Sequence, residues 1–314
     1  MKGTDPLMFA YVVRRLLSAI PTLFVIVALA FFMMRIAPGG PFDSQRKLPP
    51  EIEHNMEVAY NLDKPLYVQF FKYLGGVLHG DFGPSFKNKD FTVSQLIAVG
   101  APVSIFLGLS ALSIALAIGL LIGTLAALKQ NTSADFLLMA GAMIGITIPS
   151  FVIAPLSILV FAVWLHWLPA GDWANGDPAH VLLPITTLAL PEVAVIARLS
   201  RGSILEVLRS NFVRTAHAKG LPGWKVMLRH VLRAGLLPLV SYLGPAAAGL
   251  MTGSLVIERI FGLPGIGRYF VDGALNRDYT VVMGVVIVYA LLILILNLFA
   301  DIAYGWLDPK VRYD

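Results

Sequence analysis

The chain has 314 residues, 57% of them apolar and only 14% charged, where soluble domains carry roughly 25% charge. A mean hydropathy of +0.75 excludes a single core under a wetted surface and points to a polytopic membrane protein. The formal charge is +5, and the lack of cysteine excludes disulfides, zinc–thiolate sites and cysteine nucleophiles.

A membrane-crossing helix needs roughly 20 apolar residues. In chain order, six windows qualify: Leu16–Met34, a stretch within Phe91–Leu128, Phe136–Gly171, Val181–Ala197 (interrupted by Glu192), Ala234–Ile257 and Tyr279–Ala300. The first follows Arg14 and Arg15 and has no small-residue cleavage site before Arg35, so it reads as a span and not as a signal peptide. The third is long enough for one helix or a hairpin, with Pro149 and Pro155 fitting a kink or a turn.

Positive charge decides between these. Lys2, Arg14 and Arg15 put the N-terminus inside, and two spans return the chain to Lys129 on the same side. The segment Arg198–Arg233 carries eight basic residues against one acid, Glu206, and stays inside only if the third window crosses once. The expected fold is therefore all-α, with six spans and both termini cytoplasmic. Its parts are a cytoplasmic N-terminus at 1–15, a first span at 16–34, an external segment at 35–98 and a core at 99–314. Within the core, spans are expected near 99–128, 136–168, 181–198, 234–257 and 280–303, with a cytoplasmic loop at 199–233 and an external one at 258–279.

The external segment holds seven basic and seven acidic residues. Within it Leu66, Phe70, Tyr73, Leu74 and Val77 follow helical spacing after Asn61-Leu62-Asp63-Lys64-Pro65, predicting an amphipathic helix. The pairs Gly119/Gly123, Gly141/Gly145 and Gly249/Gly253 have the spacing that lets helices approach closely in lipid, although chance accounts equally well for any one of them.

Catalytic signatures are missing. There is no GxxxxGK[ST], HExxH or GxSxG, and Gly262, Gly265 and Gly267 lack the strand–helix setting of a dinucleotide loop. The six histidines show no ligand spacing, so no metal site is expected; His166 and His180 flank an external turn. Asn131-Thr132-Ser133 matches a glycosylation sequon but falls inside, and reads as chance. Ionisable groups within spans are functional candidates because each costs at least a few kcal/mol. Glu192 is the clear case: it lines the transport path or pairs with a neighbouring helix, or it sits about one and a half turns from the cytoplasmic end and reaches toward an arginine such as Arg198, the last reading being the more economical. Asn297 and Asp301, one turn apart at the end of the last span, are assigned to capping and packing.

The basic loop is the most informative stretch. Leu205, Leu208, Phe212 and Ala216 recur at helical spacing, and Gly220 and Pro222 end that helix; a second short helix covers Trp224–Leu232. A basic hairpin on anionic lipid needs only charge. Ordered turn chemistry and an apolar stripe favour a docking element for a cytoplasmic partner, formed by Glu206, Asn211, Phe212, Arg214, Thr215, Ala216, Lys219, Gly220, Leu221 and Pro222. Nucleic-acid binding fits poorly, because no second basic domain accompanies the loop.

This loop resembles the one in permease subunits of bacterial ATP-binding-cassette (ABC) importers, which follows E-A-A-x3-G-x9-I-x-L-P. Gly220 sets the register and places Arg214, Thr215 and Ala216 on the triplet, of which Ala216 matches; Arg233 stands where the pattern has proline, and Pro238 comes later. The Arg214–Leu221 variant, with Leu228-Arg229-His230, is similar to the dipeptide/oligopeptide branch. So are Arg14-Arg15-Leu16, His79–Ser85, Ile148–Val152, Val256–Gly267 and Asn276–Tyr279. Among these permeases the match is to the oligopeptide B-type, with dipeptide, nickel and glutathione importers as relatives.

The resemblance implies the type I ABC importer permease fold. It also implies a partnership with a second, different permease, two cytoplasmic P-loop ATPases and an external solute-binding protein that delivers peptide. ATP and magnesium would bind those ATPases, leaving this chain without cofactor or catalysis. Phe82, Gly262, Pro264, Gly265, Gly267 and Tyr269 are the candidates for meeting the binding protein, because they lie on the sizeable external segments. Two other functions compete. The first is a passive channel or ion-coupled carrier, where ion coupling usually leaves several buried carboxylates or broken-helix sites near mid-membrane, and the second is an intramembrane enzyme, which needs a nucleophile and base facing each other; the sequence supplies Glu192 for the first and no pair for the second.

Overall fold

A computed structural model describes residues 6–36, 64–87 and 90–307. The start signal at Asn61–Asp63 and the rest of the segment 37–63 lie outside the described residues. Among the described residues the regular elements are helices, with one isolated bridge between Pro84 and Thr92.

Helix α1 (Pro6–Ile36) begins well before the first expected span, carrying Arg14 and Arg15 within it. Helix α2 (Leu66–Leu78) is the amphipathic helix: Phe70 is buried against Val27 and Phe31 of α1 and Met283 and Ile287 of the last helix, with Tyr73, Leu74 and Val77 packed beside it. Helix α3 (Val93–Leu128) opens on a capping box, in which the Thr92 hydroxyl accepts from the Gln95 amide while the Gln95 side chain accepts from the Thr92 amide. Its 36 residues make a rod of roughly 54 Å, longer than the ~30 Å hydrocarbon layer.

Helices α4 (Ser133–Thr147) and α5 (Ser150–Ser157, continued by a π-helical turn Ile158–Trp164) share the third window and meet at 97°. Pro149 lacks the N–H a continuous helix needs and forces its neighbour out of the α region, which breaks the rod. Among the described residues five helices are long and apolar enough to cross a membrane, and the bent pair makes six if it counts as one span. The Asn131–Ser133 tripeptide is turn chemistry: Asn131 has φ 61° and the Thr132 side chain caps α4.

Helix α6 (Pro178–Leu208) starts at an Asp177 cap and runs unbroken through the fourth span into the basic segment. Residues 199–208 therefore belong to a span helix and not to a loop. The helix expected through Phe212 and Ala216 starts afresh at α7 (Asn211–Ala218), because the chain turns at Arg209 and Ser210. Next come α8 (Gly223–Val226), a π-helical turn Met227–Val231 and α9 (Leu232–Gly235). Helices α10 (Leu237–Gly253) and α11 (Leu255–Ile260) are separated at Ser254, so Glu258 and Arg259 belong to the end of this broken helix and not to the loop expected at 258–279. Helices α12 (Ile266–Asn276) and α13 (Tyr279–Leu307) complete the bundle.

The main core joins α3, α6, α11 and the turn after α11 through Leu107, Ala111, Ala115, Ile196, Ile257, Phe261 and Leu263. Small residues set its tightness: a Cβ on Gly119 would lie 2.9 Å from Ile196, and one on Gly123 would lie 2.0 Å from the Ser200 hydroxyl. Gly145 meets Leu190 in the same way, whereas Gly141 and Gly249 face open space. One member of each of the last two pairs thus makes no close contact within this chain.

Candidate functional site

The two ends of the bundle are built differently. At the basic end, α7 buries Val213 and Ala216 in a cluster with Ala127, Ile204, Val226 and Val231. The opposite side of α7 exposes Asn211, Phe212, Arg214 and Thr215, and Lys219, Gly220 and Pro222 after it are exposed too. Leu221 is half-buried and Glu206 is exposed. Helix α7 closes in a Schellman turn: Leu221 N–H donates to Ala216 C=O at 3.3 Å and Gly220 N–H to His217 C=O at 2.9 Å. Gly220 sits at φ +77°, a conformation in which a Cβ would crowd the following carbonyl.

Trp224 and Leu228 are 64% and 61% exposed next to this turn, with the Lys225 ammonium 5.8 Å from the Trp224 ring. A recess of about 410 Å³ lined by Phe212, Arg229, His230 and Arg233 lies beside them. An ordered turn carrying exposed aromatic and cationic side chains is suited to docking a protein surface. The scaffold beneath is fastened by a two-pronged ion pair: Arg201 Nε and Nη2 reach Asp135 Oδ1 and Oδ2, each at 2.7 Å, and the Asn131 amide adds 3.0 Å to Oδ2. Asp135 was not singled out from the sequence, although Thr-x-x-Asp at a helix start is a capping signal.

At the opposite, glycine-rich end, three segments converge. Glu258 is fully buried, and its Oε1 accepts from the Ser104 hydroxyl of α3 at 2.6 Å and the Ser254 hydroxyl at the α10–α11 break at 2.5 Å. Its Oε2 accepts from the Arg268 amide in the first turn of α12 at 3.1 Å, while Ser104 Oγ also accepts from the Ile266 amide at 3.0 Å. A carboxylate thereby caps α12 from another helix, the favourable place for negative charge. This explains two glycines of the Val256–Gly267 block. A Cβ on Gly265 would lie 2.2 Å from Glu258 Oε2, and one on Gly267 would lie 2.7 Å from the same atom.

Asp278 forms the second junction. Its buried carboxylate accepts from the Ser85 hydroxyl at 2.5 Å and from the amides of Phe86 and Lys87 at 3.2 Å each, while Thr280 Oγ1 donates to Pro84 C=O at 2.7 Å. The His79–Ser85 and Asn276–Tyr279 blocks are therefore one structure. Asp172 N–H donates to Phe261 C=O at 2.8 Å, which seats a third segment, around Gly171, that the sequence reading left out of this face.

Around these junctions lies a cleft of about 560 Å³ lined by Lys87, Pro264, Arg268, Tyr269, Asp272 and Asn276, among others. Arg259 and Arg268 both pair with Asp272 along its rim. Of the candidates for this face, Pro264 and Tyr269 line the cleft, whereas Phe82 packs inward beside Val93 and Val281. Gly262 is exposed at φ +69°, and Gly265 and Gly267 are buried under Glu258.

Glu192 pairs with a neighbouring helix and not with Arg198. Its Oε2 accepts from the hydroxyl of Tyr242 on α10 at 2.6 Å. Nor is it the sole carboxylate among the span helices, since Glu258 is more deeply buried but consumed by its hydrogen bonds. Among the described residues no group of three or more His, Cys, Asp or Glu side chains is placed to hold a metal.

A broken-helix bundle with an ordered basic turn at one end and a carboxylate-pinned cleft at the other defines a membrane permease of the type I ABC importer fold. The likeness extends to a chain of the MetNI methionine ABC transporter, solved in inward-facing conformations. The TM-score is 0.58 at 18% identity, over 68% of this chain and 96% of that one. The chain belongs to the family described as the binding-protein-dependent transport system inner membrane component, whose model matches residues 119–313; the corresponding N-terminal model matches residues 8–105. It is 52% identical to the oligopeptide transport system permease protein OppB of Escherichia coli K12 over 306 residues, covering 98% of this chain and 100% of that protein. It is also 41% identical to the dipeptide transport system permease protein DppB of Bacillus subtilis over 305 residues, covering 97% of this chain and 98% of that protein. The chain is accordingly a multi-pass membrane transport component that works with a binding protein, and not an enzyme.

Proposed function

We propose that this chain is one half of the translocation path of an ATP-driven peptide importer, oligopeptides being the leading cargo. The observation that carries the cargo is full-length similarity to an oligopeptide permease at 52% identity. The relation to a dipeptide permease makes dipeptides the alternative. The basic end faces the cytoplasm with both termini and docks an ATPase through the α7 turn centred on Arg214–Gly220. The glycine-rich end faces outward and receives the binding protein on the cleft lined by Pro264 and Tyr269. A second, different permease completes the path, and two P-loop ATPases bind ATP and magnesium.

The support is physical as well as comparative. The sequence has no phosphate-binding loop, so the energy for uphill import comes from another chain. Force from that chain must enter through an ordered element, and the Schellman-closed α7 is such an element on the basic end. The test is reconstitution of this chain in proteoliposomes with its partner permease, ATPases and binding protein, followed by ATP-dependent accumulation of labelled di-, tri- and pentapeptides. Accumulation of the longer peptides that needs every subunit supports the reading. Accumulation of a non-peptide solute in place of all peptides, or of peptide without the ATPases, overturns it.

A further inference from the structure

We infer that Glu192 and Tyr242 form a contact for cationic groups of the cargo, the α-ammonium or a Lys or Arg side chain, within the translocation path. The inference deepens the peptide-import reading above and rests on it.

Depth comes first. Glu192 stands six residues before Arg198 on α6. At 1.5 Å per residue that is about 9 Å above the first arginine of the basic end, with about 21 Å of helix on the other side back to Pro178. A carboxylate at this level that turned to lipid would cost at least a few kcal/mol, so it faces water or a partner group. Glu192 is half-buried and thus reaches the surface of this chain.

Pairing comes second. Tyr242 donates to Oε2 at 2.6 Å and fixes the carboxylate. Among the described residues no ion pair or second hydrogen bond involves Glu192, so Oε1 is left for an outside donor. That sets it apart from Glu258 and Asp278, whose oxygens are saturated by their own chain.

The neighbourhood comes third. Pro238, Pro245 and Gly249 lie on the Tyr242 side of α10 at helical spacing, and all three are exposed, as is Ser241. The exposed surfaces of α4 and α5 instead present Phe136, Leu137, Phe151 and Leu156. The α10 side is narrow and poor in large apolar groups, which suits a wet wall better than an acyl-chain contact. A fixed carboxylate with a free oxygen on such a wall accepts charge-assisted hydrogen bonds from ammonium or guanidinium groups. Because the Tyr242 hydroxyl spends its single proton on Glu192, its oxygen is left as an acceptor for a passing peptide N–H.

The experiment uses the complete reconstituted importer and a matched pair, Ala-Lys-Ala and Ala-Ala-Ala, each N-acetylated and free. The readout is the ratio of initial uptake rates, lysine or free-amine peptide over its neutral partner, in which recognition by the unchanged binding protein cancels between variants. Glu192→Gln, nearly isosteric, is expected to lower that ratio roughly three- to tenfold. Glu192→Asp should restore part of it, and Tyr242→Phe should lower it less than Glu192→Gln. An unchanged ratio in Glu192→Gln overturns the inference, and so does an equal fall for cationic and neutral peptides. Loss of the second permease on co-purification of Glu192→Gln also overturns it, marking the carboxylate as an inter-subunit ion-pair partner. A wild-type complex that moves none of the peptides refutes the import reading itself, a result visible before any variant is made.

Discussion

Replacing Glu258 should loosen the glycine-rich end before it unfolds the bundle. In Glu258→Ala the Ser104 and Ser254 hydroxyls and the Arg268 amide lose their acceptor. The hydroxyls can rotate toward carbonyls of their own helices. The Arg268 amide, in the first turn of α12, has no intrahelical acceptor to turn to. Orphaned buried donors cost about 1–3 kcal/mol each, and the vacated space adds a cavity cost, so a loss of roughly 3–6 kcal/mol follows. Glu258→Gln keeps one acceptor oxygen and sets its amide against the remaining donors, for roughly 1–3 kcal/mol. Of the lost bonds only that of the Arg268 amide is made by α12 itself, so its local opening should become more frequent by roughly one to two orders of magnitude in Glu258→Ala. Hydrogen exchange of the detergent-purified complex measures this at the amides of Ile266–Phe270, with thermal unfolding alongside. Wild-type exchange rates there in an assembled Glu258→Ala complex would refute the reasoning.

Gly220→Val should cost about 1–3 kcal/mol of local strain at φ +77° and, with a β-branched residue resisting that turn, uncouple ATP turnover from uptake; full peptide-dependent turnover in an assembled variant would place docking elsewhere. Gly123→Ala should destabilise the α3–α6 contact by about 1–3 kcal/mol, because its Cβ would fall 2.0 Å from the Ser200 hydroxyl and 2.5 Å from the Ala197 carbonyl; Gly141→Ala, which meets open space, is the matched control, and equal melting temperatures for the two would refute the packing assignment. The Arg15–Asp301 pair, 3.0 Å apart with Arg15 half exposed, should contribute no more than about 1 kcal/mol, read as a near-unchanged melting temperature in Asp301→Asn. Reconstituted alone, the chain should neither hydrolyse ATP nor accumulate peptide, and saturable peptide flux from it would make it a self-sufficient carrier.

Several features were legible without coordinates because their causes are local. Apolar runs long enough to cross hydrocarbon, the amphipathic spacing of Leu66–Val77 and the Gly220–Pro222 stop all depend on neighbours within a few turns. The corrections fall where an outcome depends on more distant partners or on continuity. Residues 199–208 look like loop by charge, yet α6 continues through them because leucine, serine, arginine and glutamate tolerate a helix and nothing interrupts it before Arg209 and Ser210. Glu258 looked like the start of an external loop because it is charged and precedes Phe261-Gly262-Leu263-Pro264. Its true setting depends on Ser104, 154 residues away.

By itself, the sequence determined that the chain lives in a membrane, roughly where it crosses, which end is basic, and that it carries no phosphate-binding loop. These follow from transfer free energies, charge counts and missing residue types, which are sums over local composition. The tertiary structure alone decided that the glycine-rich block and the His79–Ser85 block are pinned to the bundle by Glu258 and Asp278. It likewise decided that Glu192 meets Tyr242 and not Arg198. Such pairings depend on which helix faces which, and helices in lipid, lacking a strong hydrophobic drive to associate, choose neighbours by small-residue contacts and buried hydrogen bonds that no local pattern encodes.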